Sequence, residues 1–320
     1  MRQSLKFSPF IKAILLLAVG FFSTFPAQAL QPGDTGAVEL KIPVGTRAIA
    51  MGQAFVAVAD DANAVYWNPA GLAQLGGSQI TAQYDIFIET INYFYGAAGF
   101  KLGNDLSAGL MVKDLWSGSE PEYNSGGNPT GNTFSLSYMD IDVAAAYRLS
   151  YSFNIGLNLK YISKNLAGTS AATFAADLGL MYKTPIPHLT AGLNVQNVGL
   201  PLKFDTVADP LPMNIKVGVA YKMFEDNFTL AYDMNFPNDN AISAALGGEY
   251  WYKDTLVGRF GYQFQGSVDK NQVGIGAKAG LYLGGGVKIT AFKTNIGLDY
   301  AWTNDGFLGS NHHFALDWYF

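Results

Sequence analysis

The stretch Phe153-Asn154-Ile155-Gly156-Leu157-Asn158-Leu159-Lys160-Tyr161 decides how this chain is read. Phe153, Ile155, Leu157, Leu159 and Tyr161 share one parity, and Asn154, Gly156, Asn158 and Lys160 share the other. That period of two fits a strand and not a helix. The pattern returns as Ile215, Val217, Val219, Tyr221, Met223 against Asn214, Lys216, Gly218, Ala220, Lys222. It returns again as Leu256, Gly258, Phe260, Tyr262, Phe264 against Val257, Arg259, Gly261, Gln263, Gln265. One face of each strand wants hydrocarbon and the other a polar interior.

Composition points the same way. Charged residues are 14% of the chain, against about 25% in ordinary soluble domains, and aromatics also reach 14%. No segment after residue 29 holds 18 consecutive apolar residues, so spanning helices are not expected. Every backbone N–H and C=O in hydrocarbon needs a partner, which leaves a closed barrel as the way to span. The sequence therefore predicts an all-β fold, a transmembrane antiparallel β-barrel of about fourteen strands. The predicted strands are 78–88, 91–102, 105–116, 138–149, 151–165, 171–183, 188–198, 212–224, 226–236, 240–252, 255–265, 271–283, 287–302 and 311–320. The thirteenth changes phase near Phe292, where a bulge is expected.

The ends of the chain set the expected compartment. Arg2, Lys6 and Lys12 flank or precede the apolar run Ala13 to Val19, and Ala27-Gln28-Ala29 closes a secretory signal peptide over residues 1–29. At the other end Phe314, Leu316, Trp318 and Phe320 share one face and finish on an aromatic, which resembles the recognition signal of outer-membrane barrel assembly. With both termini periplasmic, one set of turns should be short, as at Leu102–Asp105, Leu149–Tyr151, Phe224–Asn227 and Tyr252–Thr255. The opposite set holds the long excursions Ser117–Tyr138 and Gly199–Leu211. The expected location is the outer membrane of a Gram-negative-type bacterium. The expected partners are its lipid and the barrel-assembly machinery; the formal charge of −5 gives no reason to expect nucleic acid.

Residues 30–77 do not alternate. A fourteen-stranded barrel is too wide for its own side chains to fill, so this segment is expected as a short, partly helical N-terminal plug, with the barrel proper over 78–320. Its stretch Gly45 to Asp61 is rich in small residues that pack closely. Asp61 can cap a turn through Ala62 to Tyr66, and Asn68-Pro69 is an N-cap followed by proline at the first helical position. Arg47, Asp60 and Asp61 should face the lumen and pair with it; Asn68, Pro69 and Ala70 read as a cap.

The run from Ala48 through Gln53-Ala54-Phe55, Asp60-Asp61 and Tyr66-Trp67-Asn68-Pro69-Ala70 to Ala73, 26 residues in all, resembles the N-terminal signature of the PorV/PorQ family. That family lies within the wider FadL-like group of fourteen-stranded barrels, whose shared mark is the Asn-Pro-Ala element. The resemblance implies a scaffold or shuttle in type IX-like protein secretion, with secretion-system components as partners. The FadL side of it implies instead a passive channel for long-chain fatty acids or other hydrophobic compounds, with a hydrophobic small molecule as partner.

Chemistry is otherwise sparse. There is no cysteine, which excludes disulfides and thiolate chemistry. His188, His312 and His313 form no metal-ligand motif and read as interfacial. Gly274-Ile275-Gly276-Ala277-Lys278-Ala279 loosely matches a dinucleotide fingerprint but sits in an alternating strand. No cofactor and no enzymatic activity are expected. If Phe320 belongs to the insertion signal, Phe320→Asp, or deletion of Trp318 to Phe320, will lower the amount of heat-modifiable barrel recovered from outer membranes; unchanged yield would refute that assignment.

Overall fold

The computed structural model describes residue 30 and residues 33–88, 91–265, 280–291, 294–304 and 309–320. The signal-peptide reading of residues 1–29 and the Gly274–Ala279 stretch lie outside them. The strands are β1 (Gln79–Ile88), β2 (Ile91–Lys101), β3 (Leu106–Trp116), β4 (Glu120–Tyr123), β5 (Pro129–Phe134), β6 (Leu136–Arg148), β7 (Phe153–Leu166), β8 (Thr169–Lys183) and β9 (Leu189–Gly199). They continue with β10 (Leu202–Phe204), β11 (Val207–Asp209), β12 (Asn214–Met223), β13 (Phe228–Pro237), β14 (Ser243–Tyr252), β15 (Leu256–Gln265), β16 (Gly280–Ala291), β17 (Thr294–Asn304) and β18 (Ser310–Tyr319).

Fourteen of these close into one antiparallel barrel, each paired with its neighbour in sequence once the hairpins β4–β5 and β10–β11 are set aside. Closure is made by β1 against β18, from Gln79 opposite Tyr319 to Tyr84 opposite Phe314. Reciprocal bonds of 2.9 Å between Ser78 and Phe320 extend it by one step. Among the described residues every one of the fourteen strands is paired on both sides, so none presents an open edge to lipid.

The parities hold. Leu157, Leu159, Val219, Tyr221, Phe260 and Tyr262 are exposed on the outer face, whereas Asn158, Lys160, Lys216 and Arg259 are buried inside. Phe314, Leu316, Trp318 and Phe320 all lie outward, with Phe314 60% exposed. The turns at 102–105, 149–152, 184–188 and 224–227 are short and define one end of the barrel, while β4–β5 and β10–β11 rise at the other.

Three expectations need correction. Where strands 271–283 and 287–302 were expected, the described residues form β16 and β17 with Ala291 paired to Thr294; residues 271–279 and Phe292, where a bulge was expected, lie outside the described residues. An irregular register occurs elsewhere, between β8 and β9, where Gln196 and Asn197 are extra residues opposite Asp177 and Asn197 has φ 60°. Second, although β1 begins and β18 ends at the short-turn end, the plug enters from the long-loop end: Gly36 N bonds Pro210 O at 2.9 Å, and Thr35 Oγ1 donates to Asp239 Oδ2 at 2.5 Å. Third, His313 is not interfacial but buried, with Nδ1 2.8 Å from Asp85 Oδ2.

Leu157 marks the lipid face, and Leu157→Arg should cost about 2 to 4 kcal/mol of folding free energy in vesicles, the expected price of a cation near mid-bilayer. Leu157→Ala should cost far less. Asn158→Arg, which a water-filled lumen would accept, meets a filled interior instead, because Asn158 is fully buried and donates to Asp142 Oδ2 at 2.6 Å. Equal costs for the two Leu157 variants would place this strand face away from lipid.

Candidate functional site

The plug is built from short pieces: a 3-10 turn at Val38–Lys41, α1 (Thr46–Ala50), α2 (Ala64–Trp67) and a second 3-10 turn at Pro69–Gln74. Asn68 caps that last turn as its sequence suggests, accepting from Ala70 N at 3.2 Å with Pro69 at the first position. Asp61 does not cap α2 as expected: the helix starts at Ala64, two residues later, with Asn63 at its N-cap, and Asp61 Oδ1 instead accepts from Asn63 N at 2.9 Å in the turn before it. The helical turn α1, around Arg47, is not signalled by the capping pattern.

What lets this chain lie inside the wall is a set of glycines directly opposed across neighbouring strands: Gly99 and Gly109, Gly156 and Gly179, Gly192 and Gly218, Gly247 and Gly261. At Gly156 a Cβ would collide with Pro69 C and Ala70 N, and at Gly261 with Met51 C and Gly52 N. At Gly156, Gly179, Gly192, Gly247 and Gly261 plug backbone thus rests on wall backbone, whereas Gly99 and Gly109 make room for the side chains of Leu72, Leu75 and Val65. The Asn-Pro-Ala element therefore sits on the Gly156–Gly179 pair.

Backbone brought this close still needs hydrogen-bond partners, and inward side chains of the wall supply them. Asp233 Oδ2 accepts from the amides of Phe55 and Val56 at 2.7 and 2.8 Å. Asn194 Nδ2 donates to Trp67 O at 2.9 Å, Gln196 Nε2 to Tyr66 O at 2.6 Å, and Arg148 Nη2 to Ala73 O at 2.7 Å. Asn68 Nδ2 donates both to Val56 O within the plug and to Leu180 O of the wall.

The three predicted charged residues come together. Arg47 donates from Nε and Nη2 to the two carboxylate oxygens of Glu249, both at 2.8 Å, and from Nη1 to Asp60 at 2.7 Å and Asp61 at 2.8 Å. Arg259 completes the network, reaching Glu249 at 2.7 Å and Asp299 at 2.8 Å. Burial works against the charge on Arg47, but Asp60, Glu249 and Asp61 outweigh it and hold the guanidinium charged. Burial also pushes the Asp61 carboxyl above its ordinary range, against the pull of Arg47. The arrangement is a bidentate latch between plug and wall.

A second cluster surrounds the aromatic pair Tyr66 and Trp67, whose centroids are 5.0 Å apart. The ammonium groups of Lys113, Lys160 and Lys216 lie 5.2, 5.7 and 5.4 Å from the Tyr66 ring, and that of Lys216 lies 4.4 Å from Trp67. Lys160 is paired with Asp177 at 2.9 Å. None of the wall residues in these clusters was singled out from sequence, although Gly156, Gly218, Gly261, Lys160, Lys216 and Arg259 all stand on the inward parity of the strands read first. Among the described residues no group of three or more His, Cys, Asp or Glu could hold a metal.

No family model matches the chain. The toluene transporter TodX of Pseudomonas putida shares its fold with a TM-score of 0.61 at 13% identity, over 86% of this chain and 96% of TodX. The toluene transporter TbuX of Ralstonia pickettii gives 0.59 at 16% identity, over 86% and 97%. A FadL homologue of Pseudomonas aeruginosa gives 0.59 at 11% identity, over 87% and 98%. The molecule thus has the fold of the FadL-like fourteen-stranded outer-membrane barrels. In sequence it is 27% identical over 213 residues to a UPF0164 protein of Treponema pallidum (strain Nichols), a match that covers 60% of this chain and 49%, about half, of that protein. None of these matches is a PorV/PorQ protein, and membership in that family is not shown.

Removing Arg47 leaves Asp60 and Asp61 without its guanidinium and Glu249 with Arg259 alone, a loss of about 3 to 5 kcal/mol for a buried pair broken on one side. Arg47→Met should therefore lower the denaturation midpoint and raise ion conductance in planar bilayers. Its defect should be largest at neutral pH and shrink as pH falls, because the Asp61 carboxyl, raised by burial, loses the opposing pull of Arg47 and takes up a proton more readily. A conductance and midpoint equal to wild type at pH 7 would remove the latch from the account.

Proposed function

We propose that this chain is an outer-membrane barrel that admits small hydrophobic compounds, with the plug as its gate. The observation that carries the reading is that the likeness in fold to two toluene transporters spans 86% of this chain and 96% and 97% of theirs. The interior supplies the reason for a gate. Where plug meets wall the lining is charged or amide-bearing, so passage of an apolar molecule requires the plug to shift rather than a fixed apolar path. The β10–β11 hairpin is placed for a role at the mouth: Leu202 and Leu211 are buried while Leu200 and Val207 are exposed, an apolar surface beside the point where the plug enters.

The secretion role implied by the PorV/PorQ resemblance rests on the 26-residue motif, and packing accounts for that motif. Its small residues, its Asn68 cap and Arg47 are what a chain needs to seat on glycine pairs and latch to Glu249. The polar, exposed β4–β5 hairpin, with Glu122 bonded to Thr130 and Asn132, suits contact with a protein but names none.

Uptake of labelled toluene and labelled palmitate by cells carrying the protein in a lipopolysaccharide outer membrane tests the proposal. Faster uptake than by cells without it is expected for at least one, and the same rates for both would overturn it. Removing residues 30–68 should leave a folded barrel, since strand pairing does not use them, and should turn a nearly closed protein into an ion-conducting one. Equal conductance before and after removal would refute the gate.

A further inference from the structure

Between the plug and strands β12, β13 and β14, at the long-loop end, lies a pocket of about 120 Å3 that opens to solvent. Its lining is not suited to hydrocarbon. Gln53 from the plug and Gln196, Asn214, Asn235, Ser243 and Gln263 from the wall turn amide and hydroxyl groups into it. Gln196 is already bonded to Tyr66, Asn235 to Ser243 and Gln263 to Tyr282, but an apolar occupant would leave Asn214 Oδ1 without a partner.

One charge in the pocket is unanswered. Lys216 is 93% buried, since its relative exposure is 7%. Its ammonium rests on the Trp67 and Tyr66 rings and has no hydrogen-bond or ion-pair partner among the described residues. The pocket's other cation, Lys41, is already met by Asp239 at 2.6 Å. Asp233, on the adjoining strand, uses Oδ2 to hold the amides of Phe55 and Val56 and makes no ion pair with Lys216. Two buried acceptors in the pocket, Asn214 Oδ1 and Asp239 Oδ1, are also unpaired.

A ligand that satisfies this inventory carries one anionic group for Lys216 and several hydroxyls that both donate and accept. We propose that the pocket is a binding site for a small hydroxylated carboxylate of the sugar-acid class, entering from the long-loop face. The site goes beyond the hydrophobic passage proposed above and does not depend on it. Gln53 and Tyr66, which line it, belong to the plug, so the ligand contacts gate and wall at once.

Titration calorimetry on the folded, detergent-solubilised full chain tests the proposal, with D-gluconate, the neutral polyol sorbitol and n-octanoate as probes. Gluconate should bind at least about tenfold more tightly than sorbitol, the scale of a charge-assisted contact, and more tightly than octanoate. Lys216→Met should abolish the preference for gluconate over sorbitol while the protein stays heat-modifiable; if that variant does not fold, Lys216→Gln replaces it. No heat with gluconate, equal binding of gluconate and sorbitol, octanoate binding as tightly as gluconate, or a preference that survives loss of the lysine would each overturn the proposal. The uptake of toluene and palmitate is scored on other molecules, so failure here and failure of the gate are separable.

Discussion

Backbone lies directly on backbone where the plug meets the wall, and much of the interior follows from that contact. Fourteen strands enclose more space than inward side chains fill, and a second layer of chain occupies the remainder. That layer can approach only where the wall has no side chains, which is why Gly156 opposes Gly179 beneath Pro69-Ala70 and Gly247 opposes Gly261 beneath Met51-Gly52. Filling any of these seats with a larger side chain would overpack a closed interior, at about 1 to 3 kcal/mol or more each. With peptide groups this close and this dry, each needs a partner, and Asp233, Asn194 and Gln196 are placed to serve them.

The charges in the lumen have the same origin. A water-filled barrel could leave Glu249 and Arg259 to solvent, but here both are buried, and Arg47 answers Glu249 from the plug side. The latch and the glycine seats act on the same short stretch, from Arg47 to Val56, so that stretch sets how firmly the lumen is closed. Opening it exposes carboxylates and amides to water entering from either end, which offsets part of the cost of breaking the contacts.

Much of the wall was legible from parity, because one face in lipid and one face inward leave a strict alternation from Phe153 to Tyr161 and from Leu256 to Phe264. Parity weakened where the inward residues became glycines. Gly280, Gly284, Gly285 and Gly286 leave β16 with little contrast between its faces, and the strand boundaries there were misplaced by several residues. Arg47, Asp60 and Asp61 were legible as charges that must pair, since a plug has nowhere dry to leave them. Their partners Glu249 and Arg259 were not, because 202 residues separate Arg47 from Glu249 and only register brings them together. The path of the plug from the long-loop end was hidden for the same reason: the bond from Gly36 to Pro210 is a contact between two irregular segments that carry no periodic signal. The Asn-Pro-Ala element read correctly as a cap, and its further job of resting on a glycine pair needed the opposite strand to be seen.

The central claim is that the plug is seated as part of the folded interior and not merely tucked into an open pore. Hydrogen exchange at the amides of Phe55 and Val56, both bound to Asp233, tests it most directly. With the plug seated in this way, protection comparable to that of the amides in β12 and β13 beside them is expected. Exchange as fast as in the exposed β4–β5 hairpin would contradict it.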